Sequence, residues 1–247
     1  MPGESTVKVS YSASSNWHVA QGSNRWKSII REVVDSYRAI SVREKAGVEL
    51  LQKNLPHRTI SRTIDPVLLL DKDHYMAMLP KKKIFKKSTM FCYLLHYTPE
   101  LWDIECLKKI AEILEVELKI CGIQGTEDCL TDANGVILSP IDFLRAFRDA
   151  KYVITNSFHG TVFSALFEVP WISIPQTGCP IGQNIRSKEF LSDINHETRF
   201  VSGTIDEMVS RLLEQPDWGE IKEKISAYRE FSRNWLLDAV EIKDSKK

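Results

Sequence analysis

Short β-branched runs alternate along the whole chain with stretches whose apolar residues recur every three to four positions. Val7 to Ser12, Ala39 to Val42, Thr59 to Ile64, Thr89 to Leu95, Glu117 to Ile120, Val136 to Leu138, Tyr152 to Thr155, Val169 to Ile174 and Arg199 to Val201 read as strands. Trp26, Ile29, Ile30, Val33 and Val34 share one face of a helix over Arg25 to Tyr37. Further helices are predicted from Arg43 to about Asn54 and from Pro99 to Leu114. Pro140 to Ala150, Val162 to Phe167, Asn184 to Ile194, Ile205 to Leu213 and Trp218 to Val240 complete the set. Ser139-Pro140 reads as an N-cap followed by proline in the first turn. Strands alternating with helices imply α/β architecture with parallel sheets covered on both faces. The charge-dense stretch Asp71 to Lys87 is the predicted boundary between two Rossmann-like halves of a GT-B-like fold. The expected division is 1–80, 81–217 with the candidate site, and a terminal helix at 218–247 packing back on the first half.

One stretch concentrates candidate chemistry. Tyr152 to Thr155 is a buried strand, Asn156 and Ser157 break it and can cap a helix, and His159 and Gly160 stand where that helix begins. A strand, polar turn, helix and strand form a βαβ unit, whose ligand crevice lies at the strand's carboxyl end. Backbone N–H groups at the helix start favour an anion, and Gly160 removes a Cβ where a phosphate would approach. The alternative is a plain Rossmann-like turn with an incidental histidine. The polar loop after the first strand, containing Ser14 and Asn16, is a second candidate ligand edge, with an ordinary surface loop as its alternative. Arg43, at a strand–helix junction, suits either bidentate binding of a carboxylate or phosphate or a structural ion pair. Asp65, before a proline, suits a turn.

The composition narrows the classes. With 247 residues, 43% hydrophobic and 27% charged, the chain has material for a sizeable core. Its formal net charge of zero gives no global basic field for nucleic acid. The lysine runs Lys81-Lys82-Lys83 and Lys86-Lys87 read first as solvated surface, with an acidic-lipid or substrate patch as the alternative. Cys92, Cys106, Cys121, Cys129 and Cys179 show no Cys-x-x-Cys pairing or metal-ligand spacing, which suggests reduced thiols in a cytoplasmic protein and no metal site. No apolar run approaches a membrane span.

Thr155-Asn156-Ser157-Phe158-His159-Gly160-Thr161-Val162-Phe163-Ser164, followed by a strand with Pro170, resembles the signature segment of the polysaccharide pyruvyl transferase family. Ile40 to Leu51 resembles its Ser-Val-Arg-Glu-Lys segment, and Asp65 to Leu70 its Asp-Pro-x-Leu-Leu-Leu step. Asn184-Ile185-Arg186 keeps the asparagine and arginine of an Asn-Ser-Arg-Ile element, with Ile185 in place of the usual serine and its hydroxyl. Family members carry further βα units before the strand at Val7, so the first half is expected to be incomplete, with an unpaired sheet edge open to self-association.

The resemblance implies transfer of a pyruvyl group from phosphoenolpyruvate to two hydroxyls of a sugar or lipid-linked glycan, forming a cyclic ketal. His159 is then the expected acid, since histidine ordinarily gives and takes protons near pH 6.5. Ser157, Gly160, Thr161, Asn184, Arg186 and Arg43 form the expected donor-binding set, and Ser14 and Asn16 the acceptor contacts. No metal or cofactor is called for. Two rivals remain: a non-catalytic binding or scaffold remnant of the fold, and a nucleotide-sugar glycosyltransferase, which needs a ribose-binding acid after Gly160. Glu168 is the one acidic residue near enough.

Overall fold

The computed structural model describes residues 7–15, 24–32, 34–95, 104–121, 138–176 and 182–240. The chain divides into two compact units, residues 1–69 with 223–247, and residues 70–222.

In the first unit, β1 (Val9–Ala13), β2 (Ala39–Val42) and β3 (Ile60–Arg62) form a parallel sheet in that order. Helices α1 (Asn24–Glu32) and α2 (Lys45–Asn54) supply Ile30, Leu50 and Leu51, which pack with Ile40, Val42 and Ile60. The periodic stretch after Glu32 closes in a short 3-10 turn, Val34–Ser36, in place of a continuous helix. Ser232 of the terminal helix accepts the Ile64 N–H at 2.9 Å, and Arg229 donates to the Leu68 carbonyl at 2.6 Å.

The second unit holds a four-stranded parallel sheet in the order β5-β4-β6-β7, formed by β4 (Thr89–Tyr93), β5 (Glu117–Cys121), β6 (Tyr152–Thr155) and β7 (Trp171–Ser173). Strands β4 and β6 run in register from Met90 beside Tyr152 to Tyr93 beside Thr155. The helices in chain order are α3 (Lys72–Met78), α4 (Ile104–Ile113), α5 (Pro140–Asp149), α6 (Phe158–Phe167), α7 (Gly182–Asp193) and α8 (Ile205–Leu213). Helix α9 (Trp218–Val240) begins in this unit and continues in the first. Ser139 caps α5 by accepting the Asp142 N–H at 3.1 Å, with Pro140 in the first turn. One core lies between β4, β5 and helices α4 and α8. On the other face, Phe143 and Phe147 pack edge-to-face with Tyr93, Phe147 also with Phe91, and Phe163 edge-to-face with Phe143.

Two expectations change. The charged stretch from Asp71 is no linker: Asp71 caps α3 by accepting the His74 N–H at 3.1 Å, and Tyr75 packs edge-on against Phe163 and Phe167. Those contacts place α3 inside the second unit, and the passage between units comes earlier, at Leu69–Leu70. Arg199 to Val201 forms no strand; a 3-10 turn (Glu197–Arg199) leads into a single bridge between Phe200 and Ser173. Burial of Arg199 decides this. Its guanidinium donates to the carbonyls of Trp171 at 3.2 Å, Arg211 at 2.6 Å and Glu214 at 2.6 Å, so it closes the carboxyl end of α8. The strand expected over Val136 to Leu138 lies largely outside the described residues.

Candidate functional site

Strand β5 lies on one side of β4, while β6 and β7 lie on the other. The chain order therefore reverses between β4 and β6, and ligand crevices in open parallel sheets form outside the carboxyl ends of the strands at such a point. Helix α6 starts there, directly after β6.

Helix α6 is buried on every side, its Thr161 and Ser164 hydroxyls bonded internally; from Phe158 to Phe167 every residue is buried except His159. A helix of this kind belongs to the interior, so one polar ring turned to solvent in its first turn marks the site. The His159 ring lies edge-on to Phe158, with centroids 5.2 Å apart. Phe158 packs on Phe190 of α7 at 6.1 Å, and Arg186 stands one helical turn before Phe190 on the same face. Both α6 and α7 follow strands of the one parallel sheet, so their amino ends lie at its carboxyl edge. His159 and Arg186 are thus brought to the same edge, Arg186 half-buried.

The other candidates in this unit work inward. Ser157 is the N-cap of α6, its hydroxyl accepting the Gly160 N–H at 3.4 Å. Thr161 is fully buried; its hydroxyl donates to the Ser157 carbonyl at 3.1 Å and pairs with Ser173 Oγ at 2.7 Å. Asn184 takes the Gln176 N–H on its Oδ1 at 2.8 Å and donates back to the Gln176 carbonyl at 3.1 Å. Its amide fixes the chain after β7 as a sheet partner would. Gly160 is required by packing: a Cβ there would lie 2.1 Å from Thr155 Oγ1, so the space it leaves is filled by β6 and not by a ligand.

Two residues at the end of β6 hold the floor of the site, and Asn156, expected with Ser157 to cap the helix, instead binds the neighbouring strand. Asn156 Oδ1 accepts the Leu95 N–H at 2.7 Å and its Nδ2 donates to the Leu95 carbonyl at 2.9 Å. This joins the carboxyl ends of β4 and β6 beyond their last paired residues. Thr155 Oγ1 donates to the Tyr93 carbonyl at 2.7 Å and accepts the Ser157 N–H at 3.0 Å. Of the two candidate caps, Ser157 is the one that accepts a helix N–H.

In the first unit, Arg43 pairs with Glu44 at 3.1 Å and with Asp65, and both carboxylates are nearly fully buried. Asp65 also accepts the Val67 N–H at 3.0 Å, so its turn role and its ion pair coexist. The Ser14 hydroxyl donates to Glu44 Oε1 at 2.5 Å, which draws it toward this cluster, while Asn16 lies outside the described residues.

Glu168 ends α6 in the left-handed region, φ 60°, and pairs with Lys222 at 2.9 Å and Lys72 at 3.3 Å. Burial pushes its carboxyl up, but the hydrogen bond from Lys222 and the charge of Lys72 outweigh that and hold it below its ordinary value. It stands at the opposite end of α6 from His159, roughly 14 Å along the axis, so it is not placed to act as the ribose-binding acid of a glycosyltransferase. Among the described residues no group of acids, histidines and cysteines is gathered as a metal site, and no helix is long and apolar enough to cross a membrane.

No curated protein matches the chain. Among solved structures, one similar protein, from Listeria monocytogenes, is assigned as a UDP-N-acetylglucosamine 2-epimerase; it shares 16% identity at a TM-score of 0.50, over 82% of this chain. This chain spans 58% of that protein's length. The kitacinnamycin glycotransferase aligns over 95% of this chain and 70% of its own at 12% identity and a TM-score of 0.45. At such identities the first of these likenesses speaks for the fold alone, two Rossmann-like halves of GT-B type, and the second carries no argument. The family model of polysaccharide pyruvyl transferases matches residues 7–177, which span β1 to β7, the segment around His159 included. The chain belongs to the polysaccharide pyruvyl transferase family.

Proposed function

We propose that the chain transfers the pyruvyl group of phosphoenolpyruvate to two hydroxyls of a polysaccharide or its precursor, giving a cyclic ketal and inorganic phosphate. The observation that carries this reading is the exposed imidazole of His159 in the first turn of a buried helix, at the reversal point of the sheet. His159 protonates the methylene carbon of the enol phosphate as a sugar hydroxyl adds to the neighbouring carbon and returns its proton to the imidazole. Phosphate leaves from that carbon, and the second hydroxyl closes the ketal as its proton passes to the departing phosphate. Arg186 suits the donor's carboxylate or phosphate through its planar fork. Arg43 is held within the first unit by Glu44 and Asp65. Ser157, Thr161, Asn184 and Gly160 support the site through the internal bonds and packing described above. A cytoplasmic location is part of this proposal, because five scattered cysteines without a pairing pattern suit a reducing compartment.

The test is His159→Gln, which keeps a polar side chain of similar reach and delivers no proton at neutral pH. Phosphate release from phosphoenolpyruvate on an accepting glycan should fall by ~10²-fold or more, with donor affinity by calorimetry little changed. Weakened affinity with turnover of bound donor intact would make His159 a binding residue only. A wild-type chain that releases no phosphate with any glycan would remove the transferase reading.

A further inference from the structure

Directly after α3 the chain carries Lys81, Lys82, Lys83, Lys86 and Lys87, and all five side chains are exposed. Their backbone is held firmly. Arg148 donates to the Pro80 carbonyl at 2.7 Å, Arg145 donates to the Lys82 carbonyl at 2.7 Å, and the Ile84 N–H reaches Asp149 Oδ2 at 2.8 Å. Phe85 is buried with its ring 6.3 Å from Phe91, which turns the lysines on either side of it outward. The acids around the segment already have cations: Asp149 has Arg148 at 2.7 Å, Asp142 has Arg145 at 2.6 Å and Glu117 has Lys119 at 3.0 Å. Among the described residues none of the five lysines enters a salt bridge. Exposed Lys151, whose N–H bonds to the Thr89 carbonyl at 2.8 Å, stands at the same edge of the sheet.

Apolar groups flank this charge. Met78, 54% exposed, and Met76, 38% exposed, lie just ahead of the run. Lysines beside exposed apolar side chains are the composition of an interfacial anchor: the charges attract anionic headgroups and the apolar groups enter the boundary layer. A pinned backbone lowers the ordering cost of such an encounter. A single-stranded nucleic acid would want an exposed stacking platform, and the aromatic ring within this run is buried.

We propose that this edge of the second unit docks on an anionic phospholipid surface through Lys81, Lys82, Lys83, Lys86, Lys87 and Met78. The segment enters β4 at its amino end, whereas His159 lies at the carboxyl edge of the same sheet. Docking therefore leaves the candidate site uncovered.

Flotation of the full chain with vesicles tests this. The chain should float with phosphatidylcholine vesicles that contain phosphatidylglycerol, remain unbound with phosphatidylcholine alone, and be released by salt. Each Lys→Gln substitution in the run should weaken binding about fivefold, and all five together should abolish it without lowering the melting temperature. Met78→Ser should weaken binding while leaving its salt dependence in place. No flotation with the anionic vesicles, equal flotation with neutral ones, or binding that survives the five substitutions would overturn the proposal. Retention on an acidic polysaccharide or nucleic acid without flotation would overturn it too and assign the patch to that polymer. Flotation needs no substrate, so it can fail or succeed independently of the pyruvyl-transfer reading.

Discussion

Gly160→Ala sets two opposing effects against each other at the heart of the site. In an exposed helix the change would stabilise by up to ~1 kcal/mol, because glycine is a poor helix former. Here the new Cβ would lie 2.1 Å from Thr155 Oγ1, 2.8 Å from its Cβ and 2.9 Å from its Cγ2. Carbon–carbon contacts settle at about 3.5–4.0 Å, so either Thr155 rotates or α6 moves away from β6. Thr155 is fully buried, and rotation would break its bonds to the Tyr93 carbonyl and the Ser157 N–H, at about 1 kcal/mol each. Shifting the helix is overpacking, at about 1–3 kcal/mol. Either route exceeds the propensity gain, and the net loss should be about 1–2 kcal/mol. For a domain of this size that lowers the melting temperature by roughly 2–8 °C. Thermal and urea unfolding followed by circular dichroism measures it, best within a cycle with Thr155→Ala. In the Thr155→Ala background the glycine substitution should cost at least ~1 kcal/mol less than in wild type. A neutral or stabilising Gly160→Ala, or strict additivity with Thr155→Ala, would refute the packing argument. Unchanged stability with abolished phosphoenolpyruvate affinity would restore the glycine to the ligand.

Two further changes probe the frame around the site. Arg199→Met removes three hydrogen bonds to carbonyls in a site where the guanidinium is 1% exposed. It should cost about 3 kcal/mol or more in urea unfolding, with Arg199→Lys recovering part of it; burial pushes this guanidinium down to about 10, which leaves it charged at neutral pH. Glu168→Gln removes a carboxylate held below its ordinary value of 4.5, a stabilisation complete above that value and lost as pH falls through the lower folded-state one. Wild type should exceed the variant by up to ~1 kcal/mol at pH 7, with the gap closing as the carboxylate is protonated in acid; a gap that persists there would show that the ion pairs are not its source.

Period and punctuation in the sequence determined the strands β2 and β6, the helices α8 and α9, and the caps at Ser139 and Ser157, because these depend on neighbours within a few residues. They also determined that His159 opens a helix after a strand, and the order of residues around it carried the family. Tertiary structure alone decided what each polar side chain in that segment is for. Asn156 reads as a cap and Thr161 as a ligand contact, yet Asn156 binds the Leu95 backbone and Thr161 the Ser173 hydroxyl, partners brought near by strand order, which no local pattern encodes. The same holds for Gly160, whose need arises from Thr155 on the neighbouring strand. Arg199 looked like part of a strand until burial bound it to the end of a helix that starts six residues later. The lysines of 81–87 read as solvated surface at a domain boundary because exposure and charge look alike in a loop and on a pinned surface. The difference lies in Arg145, Arg148 and Asp149, more than sixty residues away in the chain and within hydrogen-bond distance in the fold.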